Sequence, residues 1–364
     1  MERVPLNDLA RVEPEVRQAR AEAMLGVAER AWYVRGPEVA GFEAELATYL
    51  GLAEVVGVAN GTDALEIALR SLGLAEGDAV ATVANAGMYA TTAILRAGLR
   101  PIFVDVEPET LCAAPASVEE ALERGARAVV VTHLYGRLAR VEEIVAIAHR
   151  HGAAVLEDCA QAIGARRGGI AAGAFGDVAA YSFYPTKNLG ALGDAGAVAC
   201  READRAVRVR ELAQYGWDTK YRVARAGGRN SRMDEIQAAV LRVGLAELDG
   251  WNDRRRAIAA DYAAALPAHA GRLLASGDAD FVAHLAVVVF EDRDAARARL
   301  AEGLVDTEVH YPIPDHRQPV WGDGFADVRL PVTEAATDRI LTLPLFPELT
   351  DAEVERVCEV LRGL

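Results

Sequence analysis

The sequence predicts an α/β fold, a seven-stranded and mostly parallel sheet flanked by helices with a smaller α+β unit at the C-terminus, and three observations carry that prediction. The 364 residues are 52% hydrophobic and 26% charged, enough for two or three packed units with cores of their own. Short β-rich runs with few charges alternate with amphipathic stretches, as strands covered on both faces alternate with crossover helices. Past residue 250 the pattern changes, dividing the chain into a large unit, 1–250, and a small one, 251–364.

In chain order the predicted strands are 55–59, 79–83, 101–105, 128–132, 153–157, 177–183 and 196–200. Between them, Ala64, Leu65, Ala68, Leu69 and Leu72 recur at helical spacing, as do Val141, Ile144, Val145 and Ala148. The stretch 233–266 reads as one long helix, weakly broken at Gly250, that leads into the second unit. There, 281–290 and 305–311 read as strands, and 294–302 and 351–361 as helices. The uncharged run 79–95 is not a membrane span, because Thr82, Asn85, Gly87, Thr91 and Thr92 interrupt it as a strand, a glycine loop and a helix from about Thr91.

Charge and cysteine usage exclude several classes. Lys plus Arg number 39 against 54 Asp plus Glu, a formal charge of −15, the wrong sign for a nucleic-acid backbone. The opening MERVPLNDLARVEPEV lacks the basic and apolar regions of a signal peptide, so a cytoplasmic location is expected. Cys112, Cys159, Cys200 and Cys358 are scattered with no paired spacing and read as small buried residues; no metal site is expected.

Ligands of open parallel sheets sit beyond the carboxyl ends of the strands, and four such places carry chemistry. Asn60-Gly61-Thr62-Asp63 opens a helix and offers free N–H groups, a glycine and a hydroxyl; the plain alternative is that Thr62 or Asp63 only caps the helix. Asp158 ends an apolar strand and needs a cationic or hydrogen-bonding partner, which an ordinary internal ion pair would also supply. Lys187 follows a strand, with no formal charge elsewhere from Ser182 to Gly193, so enclosure would make it a usable amine nucleophile rather than a surface charge. The segment 227–232, Gly-Gly-Arg-Asn-Ser-Arg, precedes the long helix and is otherwise a loop and cap. Pyridoxal 5′-phosphate (PLP) would use such a set: Lys187 for its aldehyde, Asp158 for its ring nitrogen, Thr62 and Ser182 for its phosphate.

At this point the chain resembles the DegT/DnrJ/EryC1/StrS family of PLP-dependent nucleotide-sugar aminotransferases, on the fold-type I, aspartate-aminotransferase-like scaffold. The tags run nearly end to end, through Gly61-Thr62-Asp63-Ala64-Leu65, His133-Leu134-Tyr135-Gly136, Glu157-Asp158 with Ala160-Gln161-Ala162, Ser182 to Gly190, Asn230-Ser231-Arg232, His310-Tyr311-Pro312 and Leu343-Pro344-Leu345-Phe346-Pro347. The resemblance implies that Lys187 holds the cofactor and moves a proton between the amino donor's Cα and the cofactor's C4′, while Asp158 pairs with the ring nitrogen. It places Gln161 near the phenolic oxygen and Gly61, Thr62 and Ser182 on the phosphate. Asn230 is implied to reach the partner subunit's cofactor phosphate, hence a homodimer with shared active sites. Where the family stacks an aromatic residue on the ring this chain has Met88, with Tyr89 next to it; either could cover the ring.

The segments 214–221 and 228–232 are similar to the branch that aminates C3 of dTDP-3-keto-6-deoxyhexoses, with L-glutamate as donor and the 3-amino sugar as product. Tyr184, Lys220, Tyr221, His310, Tyr311 and His316 are the implied sugar and diphosphate contacts. C4 amination, a cyclitol aminotransferase and a non-enzymatic regulatory protein remain as alternatives. Family members that dehydrate sugars carry histidine at the lysine position, and Lys187 speaks against them.

Overall fold

The computed structural model describes residues 3–364. Seven strands, β1 (Glu54–Val58), β2 (Ala79–Val83), β3 (Arg100–Val104), β4 (Ala126–Thr132), β5 (Ala154–Asp158), β6 (Val178–Ser182) and β7 (Gly196–Cys200), form one sheet in the order β1-β7-β6-β5-β4-β2-β3. All neighbours run parallel except β7, which is antiparallel to both β1 and β6. The helices are α1 (Pro14–Arg30), α2 (Pro37–Leu50), α3 (Gly61–Ser71), α4 (Tyr89–Arg96), α5 (Pro115–Glu123), α6 (Val141–Arg150), α7 (Ala203–Ala213), α8 (Glu235–Ala265), α9 (Arg293–Glu302), α10 (Pro331–Thr337) and α11 (Asp351–Arg362). Valine and alanine dominate the strands because both sheet faces are covered, and two apolar clusters lie on its opposite sides.

The predicted break at Gly250 does not occur. α8 continues for 31 residues, about 46 Å at 1.5 Å per residue. Gly250 has no atom within 4 Å of where a Cβ would stand, so it costs only helix propensity, and packing against α1, α2 and α11 outweighs that. The first residue of α8 also fastens α2: the buried Glu235 carboxylate accepts the N–H groups of Gly36 at 2.7 Å, Glu38 at 2.9 Å and Val39 at 3.0 Å. A carboxylate is favoured there by the free donors of a helix start.

The C-terminal part has a three-stranded antiparallel sheet, β8 (Gly271–Leu273), β9 (Ala286–Phe290) and β10 (Ile340–Leu343), covered by α9 and α11. Its apolar cluster includes Ile258 and Tyr262 from α8, and Val4 from the chain's start. Two sequence expectations need correction here. Of 281–290, only Ala286–Phe290 is a strand, because Ala283 adopts φ 47° and the N–H groups of Val282 and His284 turn aside to the carbonyls of Gly136 and Tyr135. The stretch 305–311 is no strand; Val305 and Glu308 make isolated bridges to Val4 and Thr342. Among the described residues no helix is long and apolar enough to cross a membrane.

Candidate active site

A cavity of about 630 Å³ opens at the carboxyl ends of β1, β4, β5 and β6, closed from the other side by residues of the C-terminal sheet. Gly61, Thr62, Asp158, Gln161, Ser182, Tyr184, Lys187, His310 and Tyr311 all line it, so nine of the residues singled out in the sequence converge.

At one end the start of α3 supplies N–H groups. Asn60, rather than Thr62 or Asp63, is the cap, its Oδ1 accepting from Asp63 N at 2.8 Å. The N–H groups of Gly61 and Thr62 come too early in the helix for an intrahelical acceptor. A Cβ at Gly61 would stand 2.6 Å from Ser182 Cβ, so glycine is needed for β6 to bring the serine beside the helix start. The result is a cradle of backbone donors and a hydroxyl.

In the middle, Asp158 is buried and its acidity is weakened by that burial, which raises its pKa. Oδ1 accepts from Ala160 N at 3.1 Å, whereas Oδ2 has only the Thr132 hydroxyl at 3.5 Å. An N–H⁺ in the cavity would complete it. Lys187 lies in the loop after β6. Enclosure by protein pulls its pKa from 10.5 down to about 8 against the attraction of Asp158. Its side-chain nitrogen has no hydrogen-bond partner among the described residues. A weakly basic, unpaired amine, an under-bonded carboxylate and an anion cradle along one cavity fit an aldehyde, a protonated ring nitrogen and a phosphate in turn, the three handles of PLP.

The far wall is aromatic. Gln161 accepts from Tyr135 N at 2.6 Å and donates to the Tyr311 hydroxyl at 3.3 Å; burial pushes that hydroxyl's pKa up. Tyr135 donates to the His310 carbonyl at 2.6 Å, and His310 Nδ1 lies 2.9 Å from the Thr342 hydroxyl. Burial lowers the His310 pKa, which favours its neutral form. Tyr89 meets Tyr311 edge-on, with ring centroids 6.1 Å apart. Gly87, at φ 75°, must be glycine because a Cβ would lie 2.9 Å from the Tyr311 ring.

Five singled-out residues do not line the cavity. Met88 caps α4 in a left-handed conformation, φ 67°, its N–H given to Asp315 at 2.9 Å, and the neighbouring Tyr89 lines the cavity instead. His316 is buried, paired with Glu334 at 2.9 Å and tilted against Phe103, out of reach of a ligand there. Lys220 and Tyr221 join the short strands Trp217–Thr219 and Arg222–Val223 in an exposed hairpin, the ammonium 5.0 Å from the tyrosine ring centre. Asn230 is exposed and bridges to Gln214. Its neighbours dock the 227–232 loop: Ser231 accepts from Ala59 N at 3.1 Å, and Arg229 pairs with Asp63 and the buried Glu66.

The cavity also has polar lining residues that the sequence reading did not single out, Thr132, Asp194 and His284 among them. His284 lines the wall with Lys187, and within 281–290 it looked like one more strand position.

A model of the DegT/DnrJ/EryC1/StrS aminotransferase family matches residues 14–362. Over 363 residues the chain is 41% identical to the erythromycin biosynthesis sensory transduction protein EryC1 of Saccharopolyspora erythraea, covering 99% of each. It is 40% identical over 363 residues to the dTDP-3-amino-3,4,6-trideoxy-alpha-D-glucose transaminase of Streptomyces venezuelae, covering 99% of this chain and 96% of that protein. The crystal structure of S. venezuelae DesV in complex with a ketimine intermediate is similar at TM-score 0.94 and 39% identity, covering 100% of this chain and 98% of that one. That of ntda from Bacillus subtilis with bound cofactor PMP gives TM-score 0.94 at 32% identity, covering 100% and 85%.

Proposed function

We propose, from the premise that this chain belongs to the DegT/DnrJ/EryC1/StrS aminotransferase family and is a PLP-dependent transaminase of fold-type I, that it aminates C3 of a nucleotide-linked 3-keto-6-deoxyhexose, with dTDP as the nucleotide and L-glutamate as the donor. The observation that carries the reading is the convergence of Lys187, Asp158 and the start of α3 on one cavity whose far wall is Tyr184, His310 and Tyr311. The name of the Streptomyces venezuelae relative, a transaminase for a 3-amino dTDP-sugar, supports the substrate class and the position.

PLP, when bound, supplies an electron sink that weakens the bonds at the carbon bearing the amino group. The chain's residues do the rest. Gly61, Thr62 and Ser182 hold the phosphate, and Asp158 keeps the ring nitrogen protonated. Gln161, fixed by Tyr135 N, hydrogen-bonds beside the phenolic oxygen. Lys187 holds the cofactor until a donor arrives, then as a free amine removes the proton from the donor's Cα and delivers one at C4′; with the keto-sugar it works in reverse. The drop in its pKa from 10.5 to about 8 leaves roughly a tenth of the amine neutral at pH 7, several hundred-fold more than an unperturbed lysine offers, so it can both take and return a proton. Tyr184, His310 and Tyr311 orient the sugar, and the aromatic wall with its neutral histidine keeps water from the reacting carbon.

The working unit in this reading is a cytoplasmic homodimer in which Asn230, exposed and outside its own cavity, reaches the partner's. The large unit, 1–250, holds the cofactor and the small one, 251–364, closes over the substrate.

The absorption spectrum with L-glutamate tests the first half: the visible band should bleach and be restored by the keto-sugar. A mixture of equilibrating 3-keto and 4-keto dTDP-sugars then tests position. NMR of the product should find the amine on C3 alone, and a 4-amino product overturns the regiochemistry.

A further inference from the structure

Asn188, next to the reactive lysine, is 4% exposed and its hydrogen bonds determine which of its amide atoms is which. Its Nδ2 donates to Val282 O at 2.9 Å and to Asn252 Oδ1 at 2.7 Å. A carbonyl can only accept, so Nδ2 is the atom on that side. Asn252 is oriented in the same way, through its Nδ2 to Ile163 O at 3.1 Å. Asn188 Oδ1 therefore faces His284 Nδ1, 2.9 Å away, and the hydrogen between them belongs to Nδ1. His284 is 6% exposed and burial keeps its ring neutral. A neutral ring with its hydrogen on Nδ1 carries a lone pair on Nε2. That atom has no hydrogen-bond partner among the described residues, and the residue lines the cavity into which Lys187 reaches.

We propose that His284 is a positioning residue for Lys187: its Nε2 accepts a hydrogen bond from the freed lysine amine and so turns that amine's own lone pair toward the carbon from which it takes the proton. The inference rests on Lys187 being the amine of the transaminase, and deepens that reading. The charged and titratable groups around the pair are Asp158 on the lysine side, Arg255 and His310 on the histidine side, and Asp194 on the cavity wall. Arg255 donates from Nη1 to the His284 and Leu345 carbonyls, not to the ring.

The chain has two lysines, Lys187 and Lys220, so lysine labelled with ¹³C at Cε gives two signals, with the hairpin Lys220 as internal reference. The pyridoxamine form of the holoenzyme leaves the Lys187 amine free to titrate. His284→Asn keeps a donor for Asn188 and deletes Nε2. It should lower the Lys187 midpoint by about 0.5–1 pH unit, because an acceptor for the ammonium is lost, and leave Lys220 unmoved. The acidic limb of kcat should move down with it. kcat for the L-glutamate half-reaction should fall roughly 10–100-fold with KM within about twofold. Asn188→Ala, which frees the ring to flip tautomer, should act in the same direction more weakly. Should His284→Asn not fold, His284→Phe is read in the same way.

A folded variant with an unmoved or raised Lys187 midpoint overturns the proposal. So does a raised KM at unchanged kcat, which makes His284 a substrate contact. If even the wild-type enzyme fails to transaminate L-glutamate, the donor assignment falls, while the lysine titration still decides the role of His284.

Discussion

The two faces of β5 bury two carboxylates that are neighbours in the chain and opposite in fate. Glu157 and Asp158 point to opposite sides of the strand and are 0% and 5% exposed. Glu157 takes four hydrogen bonds, from the N–H groups of Gly173, Phe175 and Gly176 at 2.6–2.8 Å and from His133 Nε2 at 2.8 Å. His133 in turn accepts from Ala139 N through Nδ1, so both its nitrogens are engaged. The ligand atoms of His133, Glu157 and Cys159 lie within 4.8 Å of one another, as around a metal, but the lone pairs an ion would need are already used. Asp158 has one good donor and an oxygen left facing the cavity. Burial of charge is common to both sides; what separates the reactive side is hydrogen bonding left incomplete. The two histidines repeat the pattern, His133 saturated and His284 with one nitrogen open.

The largest effect that tests this contrast is at Lys187. Lys187→Ala should cut transamination at least ~10⁴-fold, on the order of 5 kcal/mol, and abolish the visible band, while circular dichroism stays native. In cofactor-free protein the same change should raise stability at pH 7 by on the order of 1–3 kcal/mol, since an ammonium half-buried in the cavity wall with its pKa lowered from 10.5 to about 8 opposes folding. The unfolded chain binds the extra proton between those two values, so wild-type stability climbs as pH rises from about 8 to 10.5. Urea midpoints of the two proteins should converge across that window; a constant gap would mean that Lys187 is not enclosed.

Next come the paired carboxylates. Glu157→Gln should cost about 3–5 kcal/mol of stability, because an amide presents donors to donors, while the visible band of the protein that remains folded is unchanged. Asp158→Asn should do the reverse, leaving the urea midpoint of cofactor-free protein equal or higher and lowering turnover on the order of 10²–10³-fold. Equal stability losses at both positions would erase the distinction. The smallest effect separates Met88 from Tyr89. Tyr89→Ala should weaken cofactor retention about 3–10-fold, the worth of an aromatic contact, and Met88→Leu should change it less than about twofold.

Much of this was readable from the chain because parallel strands announce themselves. Each of the seven strands lies within about two residues of its expected span, since continuous burial demands continuous apolar residues. Asp158 was legible because it ends such a strand, and Lys187 because it is the one formal charge from Ser182 to Gly193, in the loop that follows another. The C-terminal sheet was not. Gly271–Leu273 and Ile340–Leu343 are three and four residues long, and their pairing with Ala286–Phe290 is set by tertiary contact rather than by any local alternation. Val305 to Tyr311 has strand-like residues but finds no continuous partner. His316 follows a family tag yet is buried against Glu334, and His284 gains its meaning from Asn188, 96 positions away. No local pattern carries either fact.

The cysteines have a practical consequence. All four are buried, and burial pushes the thiols of Cys112 and Cys358 to about 11 and Cys200 to about 12, with Cys159 also raised. At neutral pH their thiolate fractions are negligible, so the native protein should ignore maleimides and iodoacetamide. A cysteine installed at Val320, 75% exposed in the Pro319–Trp321 turn, would then be the fast-reacting thiol, and a fluorophore or spin label could be attached there without first removing any native sulfur.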